Sequence, residues 1–172
     1  MVDVGAKKPT RRVAVAECHV RLGEELFAAL LGGALPKGDA LAVARVAGIQ
    51  AAKRTSETIP LCHSLALDYV RIEFEPDAAT ATLRILCEAA TTAGTGVEME
   101  ALCGASGAAL TIYDMGKAVS HGIVVDSLRL LRKEGGRSGV WTADDEAGVH
   151  DDADSEFDDL DEPTDEPERS ER

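Results

Sequence analysis

Several patterns that would assign a function directly are missing from this sequence. The four cysteines show no C-x-x-C spacing, which argues against a paired-cysteine metal or redox motif. Neither a signal peptide nor an apolar run long enough to span a bilayer is recognised. No Walker or dinucleotide-binding glycine pattern and no internal repeat is present. We therefore expect a cytoplasmic protein with reduced thiols and no membrane partner.

Acidic residues set the net charge of −13, but they are unevenly placed along the 172 residues. Residues 143–172 contain fifteen acidic residues and two arginines, whereas residues 1–142 contain sixteen acidic and sixteen basic residues. A neutral first part offers no broad basic face, which argues against nucleic acid as a partner. We predict one folded domain over 1–142 and a disordered acidic tail over 143–172, with a solubilising role favoured over partner binding.

Hydrophobic periodicity predicts four strands with helices between them. Strand-like alternation occupies residues 12–18, 67–75, 79–89 and 122–133, and helical spacing occupies 22–31, 40–54 and the segment from Met99 onwards. Asp39 should cap the second helix, whose few polar residues predict that it is mostly buried, and Pro76-Asp77 should form the turn of a hairpin. This order suits a two-layer α+β domain of ferredoxin-like type, a four-stranded antiparallel sheet with helices on one face.

The segment from Thr95 to Lys117 has charged ends and a middle of small, uncharged residues. Asp114 and Lys117 are three residues apart and are therefore neighbours on a helix. A surface ion pair, worth under about 1 kcal/mol, is the simplest interpretation. Their position at the end of an otherwise uncharged helix favours a general acid–base pair instead, with its proton affinity tuned in a partly dry pocket.

Two carboxylates at the start of this segment, Glu98 and Glu100, raise a geometric problem. On a continuous helix, Glu100 and Asp114 lie about 21 Å apart and cannot contact one reacting centre. Either the helix begins later, or a second subunit brings its opposite end alongside, which the small residues favour. Side chains two apart share a face only in an extended segment. If both glutamates point at a ligand, the helix should begin near Ala101.

A second group of candidates follows Pro60. His63 lies on a predicted loop, where a functional role competes with a structural one, and the adjacent Cys62 could be a thiol nucleophile or a metal ligand. No second pair completes a tetrahedral set, so we predict no metal site. Dispersed cations could bind a polyphosphate or form ordinary solvated surface. They are Arg11, Arg12, Lys37, Lys53, Lys117, Lys133 and Arg137.

Taken together, the motifs of residues 1–139 resemble the cyclic pyranopterin monophosphate synthase family of molybdenum cofactor biosynthesis. The motifs are V-D-V at 2–4, K-G-D at 37–39, A-G-I-Q-A-A-K-R-T at 47–55, I-P-L-C-H at 59–63, T-G-V-E-M-E-A-L at 95–102, L-T-I-Y-D-M at 110–115 with Lys117, and K-E-G-G-R-S-G at 133–139. They are long and occur in order along the chain, which makes a chance match very improbable.

The resemblance implies a lyase built from ferredoxin-like subunits that form a homo-hexamer, a trimer of dimers with active sites at the dimer interface. It implies conversion of 3′,8-cyclo-7,8-dihydro-GTP, supplied by a radical-SAM enzyme, into cyclic pyranopterin monophosphate and diphosphate. This rearrangement is non-redox and proceeds by general acid–base catalysis. No cofactor is predicted, and whether Mg²⁺ accompanies the triphosphate stays open.

Residue roles also follow from the resemblance. Asp114 and Lys117 match the family's acid–base pair, and Lys37 and Lys53 match its other essential lysines. His63 is expected to contribute to catalysis as well. The residues expected to contact substrate are Leu61, Cys62, His63, Glu98, Met99, Glu100 and Lys133.

Two positions depart from the family's usual pattern. Ser64 replaces a proline, which should loosen its loop, and Gly94 replaces a basic residue, which should remove a phosphate or interface contact. A different class of function also fits part of the evidence, namely a non-catalytic oligomer that binds a purine nucleotide for regulation. Such a protein would not need Asp114 and Lys117 together beside His63.

Overall fold

The computed structural model describes residues 1–136 and 139–143 of the chain. The strands are β1 (Thr10–Arg21), β2 (Tyr69–Asp77), β3 (Thr82–Ala93), β4 (Val124–Glu134) and β5 (Val140–Thr142), and the helices are α1 (Glu24–Leu31), α2 (Ala40–Lys53), α3 (Thr55–Thr58) and α4 (Glu98–Gly116). The predicted disordered tail lies outside the described residues apart from its first residue, and so does Arg137.

The strands form one antiparallel sheet in the order β2-β3-β1-β4-β5. The α+β class predicted from periodicity is confirmed, but the predicted strand count is one too low. The additional strand, β5, pairs only with Arg132–Glu134 at the end of β4. Its three residues are too few to show an alternating pattern, so periodicity could not reveal it.

The hairpin between β2 and β3 is present, but the predicted turn at Pro76-Asp77 is wrong. Pro76 and Asp77 belong to β2 and lie opposite Leu83 and Thr82. A proline is tolerated here because β2 is an edge strand, where one side needs no backbone donor. The chain turns after Asp77, whose carboxylate accepts hydrogen bonds from the Ala79 backbone N–H and the Thr80 hydroxyl.

The core lies between the sheet and α4. Alternate residues of β1 and β3 face the helix and are fully buried, namely Ala14, Ala16, Cys18, Val20, Leu83, Ile85, Cys87 and Ala89. The predicted inward residues of β2, which are Val70, Ile72 and Phe74, also contact this core. Asp39 accepts a hydrogen bond from the Ala42 N–H, as predicted for the cap of α2. Ala108 lies against Gly48, and Gly104 lies against Ala52, so α2 and α4 pack closely and run antiparallel.

The prediction that α2 is mostly buried is wrong. Only four of its fourteen residues are buried, and Val43 and Val46 are 47% and 55% exposed. The helix is covered by α4 on one side and touches β2, and no described element covers its remaining apolar side. The small number of polar residues in α2 therefore does not mean that this helix is buried within one chain.

A buried ion-pair cluster, centred on Glu17, joins three strands on the sheet face away from α4. The Glu17 side chain on β1 is 3% exposed and accepts hydrogen bonds of 2.6 Å from Arg84 Nε on β3 and Arg129 Nε on β4. His19 Nε2 lies 3.4 Å from the same carboxylate. Burial raises the pKa of Glu17, but the hydrogen bonds from Arg129 and Arg84 outweigh it, and the net pKa is lowered.

Candidate active site

Helix α4 is continuous from Glu98 to Gly116, so it carries candidate residues at both of its ends. The alternative of a helix that begins near Ala101 is therefore wrong, because Glu98 and Glu100 both belong to its first turn. At 1.5 Å per residue, Glu100 and Asp114 are separated by about 21 Å along the axis. The predicted site residues consequently form two clusters within one chain.

The first cluster, the lysine–aspartate cluster, lies at the C-terminal end of α4 and consists of Lys37, Asp114 and Lys117. Lys37 Nζ lies 2.5 Å from Asp114 Oδ2, and Lys117 Nζ lies 2.6 Å from Asp114 Oδ1. Lys37 Nζ also donates to the Asp114 carbonyl oxygen at 3.2 Å. The loop before α2 thus brings Lys37 to residues 77 positions further along the chain.

Ion pairing fixes the protonation of the lysine–aspartate cluster. Hydrogen bonds from Lys117 and Lys37 lower the pKa of Asp114 to about 2, and the Asp114 carboxylate raises the pKa of Lys117. The Asp114 side chain is 52% exposed, so the partly dry pocket expected here is absent from the single chain. At neutral pH the cluster therefore holds one carboxylate and at least one ammonium group, that of Lys117.

The second cluster lines a cleft of about 390 Å³ beside the N-terminal end of α4, which we call the carboxylate cleft. Six of the residues expected to contact substrate line it together, namely Leu61, Cys62, His63, Glu98, Met99 and Glu100. Lys133 reaches the same region through an ion pair of 3.5 Å between its Nζ and Glu98 Oε1. All seven residues predicted to contact substrate therefore gather at this end of α4.

Burial distinguishes the two glutamates of the carboxylate cleft. Glu100 is 4% exposed, and burial, with a smaller contribution from the Glu98 charge, raises its pKa. Glu98 is about one-third exposed and pairs with Lys133. The cleft thus combines a paired carboxylate with one whose charge is disfavoured, both open to a ligand that donates hydrogen bonds.

The loop residues of the carboxylate cleft are held by contacts with other segments. His63 Nε2 donates to the Val2 carbonyl oxygen at 2.8 Å, and Ser64 Oγ donates to Ser56 Oγ of α3 at 3.0 Å. The contact of Ser64 ties its loop to α3. Burial, with the Glu100 charge, raises the pKa of the Cys62 thiol, which disfavours the nucleophilic thiolate. Within the described residues, no cluster of three or more His, Cys, Asp or Glu could hold a metal ion.

Among the described residues, Lys53 is the one predicted catalytic residue that neither lines the carboxylate cleft nor belongs to the lysine–aspartate cluster. It ends α2 and is exposed. Because α2 and α4 run antiparallel, this end of α2 lies alongside the N-terminal half of α4. Lys53 is therefore on the side of the carboxylate cleft, whereas Lys37 is at the opposite end.

The N-terminal segment contributes residues that the pattern analysis did not select. Val2, Val4 and Lys7 line the carboxylate cleft. Lys7 also lines a second, adjoining cleft of about 680 Å³ together with Lys8 and Arg12, which we call the basic cleft. The sequence signal was the cluster of basic residues between positions 7 and 12, which contains no acidic residue. Gly94, one of the two departures from the family's usual pattern, also lines the basic cleft.

Across the described residues, no helix is long and apolar enough to cross a membrane. The profile of the MoaC family matches residues 1–136. A protein of Chloroflexus aurantiacus named cyclic pyranopterin monophosphate synthase is 55% identical over 141 residues, which cover 82% of this chain and 86% of that protein. A protein of the same name from Brucella melitensis is 51% identical over 149 residues, which cover 87% of this chain and 90% of that protein. The chain belongs to the MoaC family, as its motifs indicated.

Proposed function

We propose that this chain converts 3′,8-cyclo-7,8-dihydro-GTP into cyclic pyranopterin monophosphate and diphosphate, a lyase reaction of molybdenum cofactor biosynthesis. The observation that carries the proposal is the contact of Lys37 and Lys117 with the single carboxylate of Asp114 in a chain of this family. The names of the relatives, all cyclic pyranopterin monophosphate synthases, support an enzyme over a regulatory nucleotide-binding protein.

In the proposed mechanism, Lys117 is a general acid and Asp114 sets its position and charge. The raised pKa of Lys117 keeps its amine protonated at neutral pH, and a substrate that weakens the ion pair with Asp114 would lower this pKa and allow proton donation to a ring atom or to a leaving oxygen. The low pKa of Asp114 makes it a poor proton acceptor while both lysines contact it. A substrate that draws one lysine away from Asp114 would raise the pKa of the Asp114 carboxylate, which could then accept a proton.

The carboxylate cleft would bind the guanidine-like edge of the base, because carboxylates accept paired hydrogen bonds from such groups. Glu98 and Glu100 supply the acceptors, and His63, Cys62 and Met99 form the surrounding wall. Attack of a ribose hydroxyl on the α-phosphorus forms the cyclic phosphate and expels diphosphate. Lys37, Lys53 and Lys133 would offset the negative charge of the triphosphate and of the leaving diphosphate. Mg²⁺, if required, would arrive with the triphosphate.

We further propose that one active site takes the lysine–aspartate cluster from one subunit and the carboxylate cleft from another. The axial separation of about 21 Å between Glu100 and Asp114 exceeds the reach of one reacting centre. Exposed apolar residues on α2 and α4, among them Val43, Val46, Leu110 and Tyr113, would be covered by association. A homo-hexamer, a trimer of dimers, provides such interfaces, and closure would also dry the exposed ion pairs.

The strand order β2-β3-β1-β4 with α4 across the sheet supports a ferredoxin-like arrangement, to which β5 is an addition. We propose a cytoplasmic location, where the radical-SAM enzyme would supply the substrate. These two assignments are independent of the roles given to Asp114 and Lys117.

Turnover by the purified protein tests the proposed reaction. Freshly generated 3′,8-cyclo-7,8-dihydro-GTP would be incubated with the protein, and diphosphate release and the fluorescent oxidised pterin would be followed. We expect product from the wild type and from Arg71→Ala, which removes an exposed cation on β2, and none from Lys117→Ala. Substrate that is bound but unchanged by the assembled wild type would support the regulatory nucleotide-binding protein instead.

A further inference from the structure

The basic cleft holds positive charge that the described residues do not neutralise. Lys7, Lys8 and Arg12 line it, and no acidic residue is among the described lining residues. The other residues that line it are Ala6, Thr10, Gly94, Thr95, Gly96 and Gly136. No ion pair joins these three cations to a carboxylate in the part of the chain that the structure describes. The cleft is therefore complementary to an anion.

Arg12, in the wall of this cleft, has an unpaired donor. Its Nε is buried and has no hydrogen-bond partner among the described residues. Gly136 lies so close to the Arg12 guanidinium that an added Cβ would overlap it. Buried polar groups are nearly always hydrogen-bonded in native structures. Arg12 is thus held in the wall of the cleft with one donor unpaired.

The chain itself carries a strongly anionic segment, which follows β5 in the sequence. Residues 144–172 contain fifteen carboxylates and two arginines. Strand β5 places Val140 opposite Glu134 and Trp141 opposite Lys133, and the Gly135 N–H donates to the Gly139 carbonyl oxygen at 3.1 Å. Strand β5 then runs back along β4 to Thr142, which lies opposite Arg132, and Ala143 is the last described residue before the acidic segment. Twenty-nine residues can span up to roughly 100 Å, so the cleft is well within their reach.

We propose that the acidic segment 144–172 binds the basic cleft of its own chain and competes there with polyphosphate anions. Attachment to the same chain gives the segment an effective concentration in the millimolar range, which makes even a weak ionic contact competitive. The basic cleft shares Lys7, Thr95 and Gly96 with the carboxylate cleft. A bound segment would therefore lie beside the proposed substrate site and reduce its apparent affinity. The binding itself does not depend on the proposed reaction.

Zero-length carbodiimide cross-linking of the full-length protein tests the contact directly, because it joins a carboxylate to a lysine amine only where the two touch. We expect cross-links from Lys7 and Lys8 to residues 144–172, which are lost at high salt. A mixture of ¹⁴N- and ¹⁵N-labelled protein should give cross-links within one isotope only. Mixed-isotope cross-links would overturn binding within one chain, and cross-links to other lysines alone would overturn the assignment of the cleft.

A peptide of residues 144–172 provides the second test, on protein truncated after Ala143 whose circular dichroism and oligomeric state match those of the full-length protein. We expect saturable binding that inorganic tripolyphosphate displaces, weakened at least tenfold in Lys7→Gln/Lys8→Gln. The matched control, Arg21→Gln/Arg71→Gln, removes two exposed cations elsewhere on the sheet and should bind as the truncated parent does. Equal loss in both double variants would show a general charge effect and overturn the proposal. None of these measurements requires turnover, so failure of the proposed reaction would be recognised separately.

Discussion

The two ends of α4 hold carboxylates in opposite electrostatic environments. At the C-terminal end, Asp114 is exposed and contacts two lysines, which lowers its pKa to about 2. At the N-terminal end, Glu100 is buried and its pKa is raised. A carboxylate in contact with two lysines suits proton transfer, whereas a buried carboxylate suits hydrogen bonding to a ligand. The difference suggests that the C-terminal end carries the chemistry and the N-terminal end carries recognition.

The largest effect should come from Asp114→Asn. The amide cannot form the two ion pairs, so Lys37 and Lys117 lose their common anchor, and turnover should fall by about 10²- to 10⁴-fold. Substrate affinity, which we assign to the other end of α4, should change little. Steady-state kinetics together with equilibrium binding of the substrate would separate these effects. A loss of affinity with turnover unchanged would reverse the assigned roles of the two ends.

Mixing two inactive variants tests whether the ends act together across subunits. Glu100→Gln and Asp114→Asn protein would be unfolded, mixed and reassembled. In a symmetric dimer with shared sites, half of the dimers are mixed and one of their two sites is intact, so about a quarter of the activity should return. Each variant reassembled alone is the control. No recovery in well-assembled mixtures would place each active site within one chain.

The middle of α4 fixes the distance between its ends. Adding side-chain volume there should change the stability of the protein. A Cβ at Gly104 would overlap Cys87 Sγ and lie 3.5 Å from the Ala52 Cβ. We expect Gly104→Ala to lower the free energy of unfolding by about 1–3 kcal/mol through overpacking, despite the helix preference for alanine. Chemical denaturation would measure this, with Ser106→Ala as a control on the same helix. An increase in stability would show that α4 and β3 can move apart freely at Cys87.

A smaller effect, of opposite sign, is expected at Glu100. Its folded-state pKa is raised, so the folded state binds more protons than the unfolded state and stability falls as pH rises from the unfolded pKa. Glu100→Gln should therefore stabilise the protein at pH 7, by about 0.5–2 kcal/mol, and by less at pH 4. Unfolding curves at both pH values check this. A variant that is less stable at pH 7 would mean that the carboxylate has a stabilising partner.

The smallest effect is expected at Cys62. Because burial raises the pKa of its thiol, Cys62 is a wall residue of the carboxylate cleft rather than a nucleophile. Cys62→Ser should retain turnover within about tenfold of the wild type, the scale of a lost apolar contact. A loss of three orders of magnitude in the same turnover assay would restore the nucleophile hypothesis.

The sequence predicted the parts of this molecule that depend on local pattern. The cap at Asp39, the inward face of β2 and the pairing of Asp114 with Lys117 follow from spacing along one element. The approach of Lys37 to Asp114 was implied only by family resemblance, because it depends on how a loop before α2 meets the end of α4. The exposed face of α2 was missed because periodicity shows which side chains are apolar but not whether another subunit covers them.

The Glu17 cluster also affects how reliably the sheet can form. Strands β1 and β3 carry many alanines, including Ala14, Ala16, Ala89 and Ala90, and such small side chains distinguish poorly between alternative alignments. A slip of one residue would turn Glu17 from the outer face towards α4, where an unpaired carboxylate is strongly disfavoured. One charged residue that contacts both neighbouring strands thus penalises misaligned pairings during folding, so its value lies in excluding wrong structures as much as in stabilising the right one.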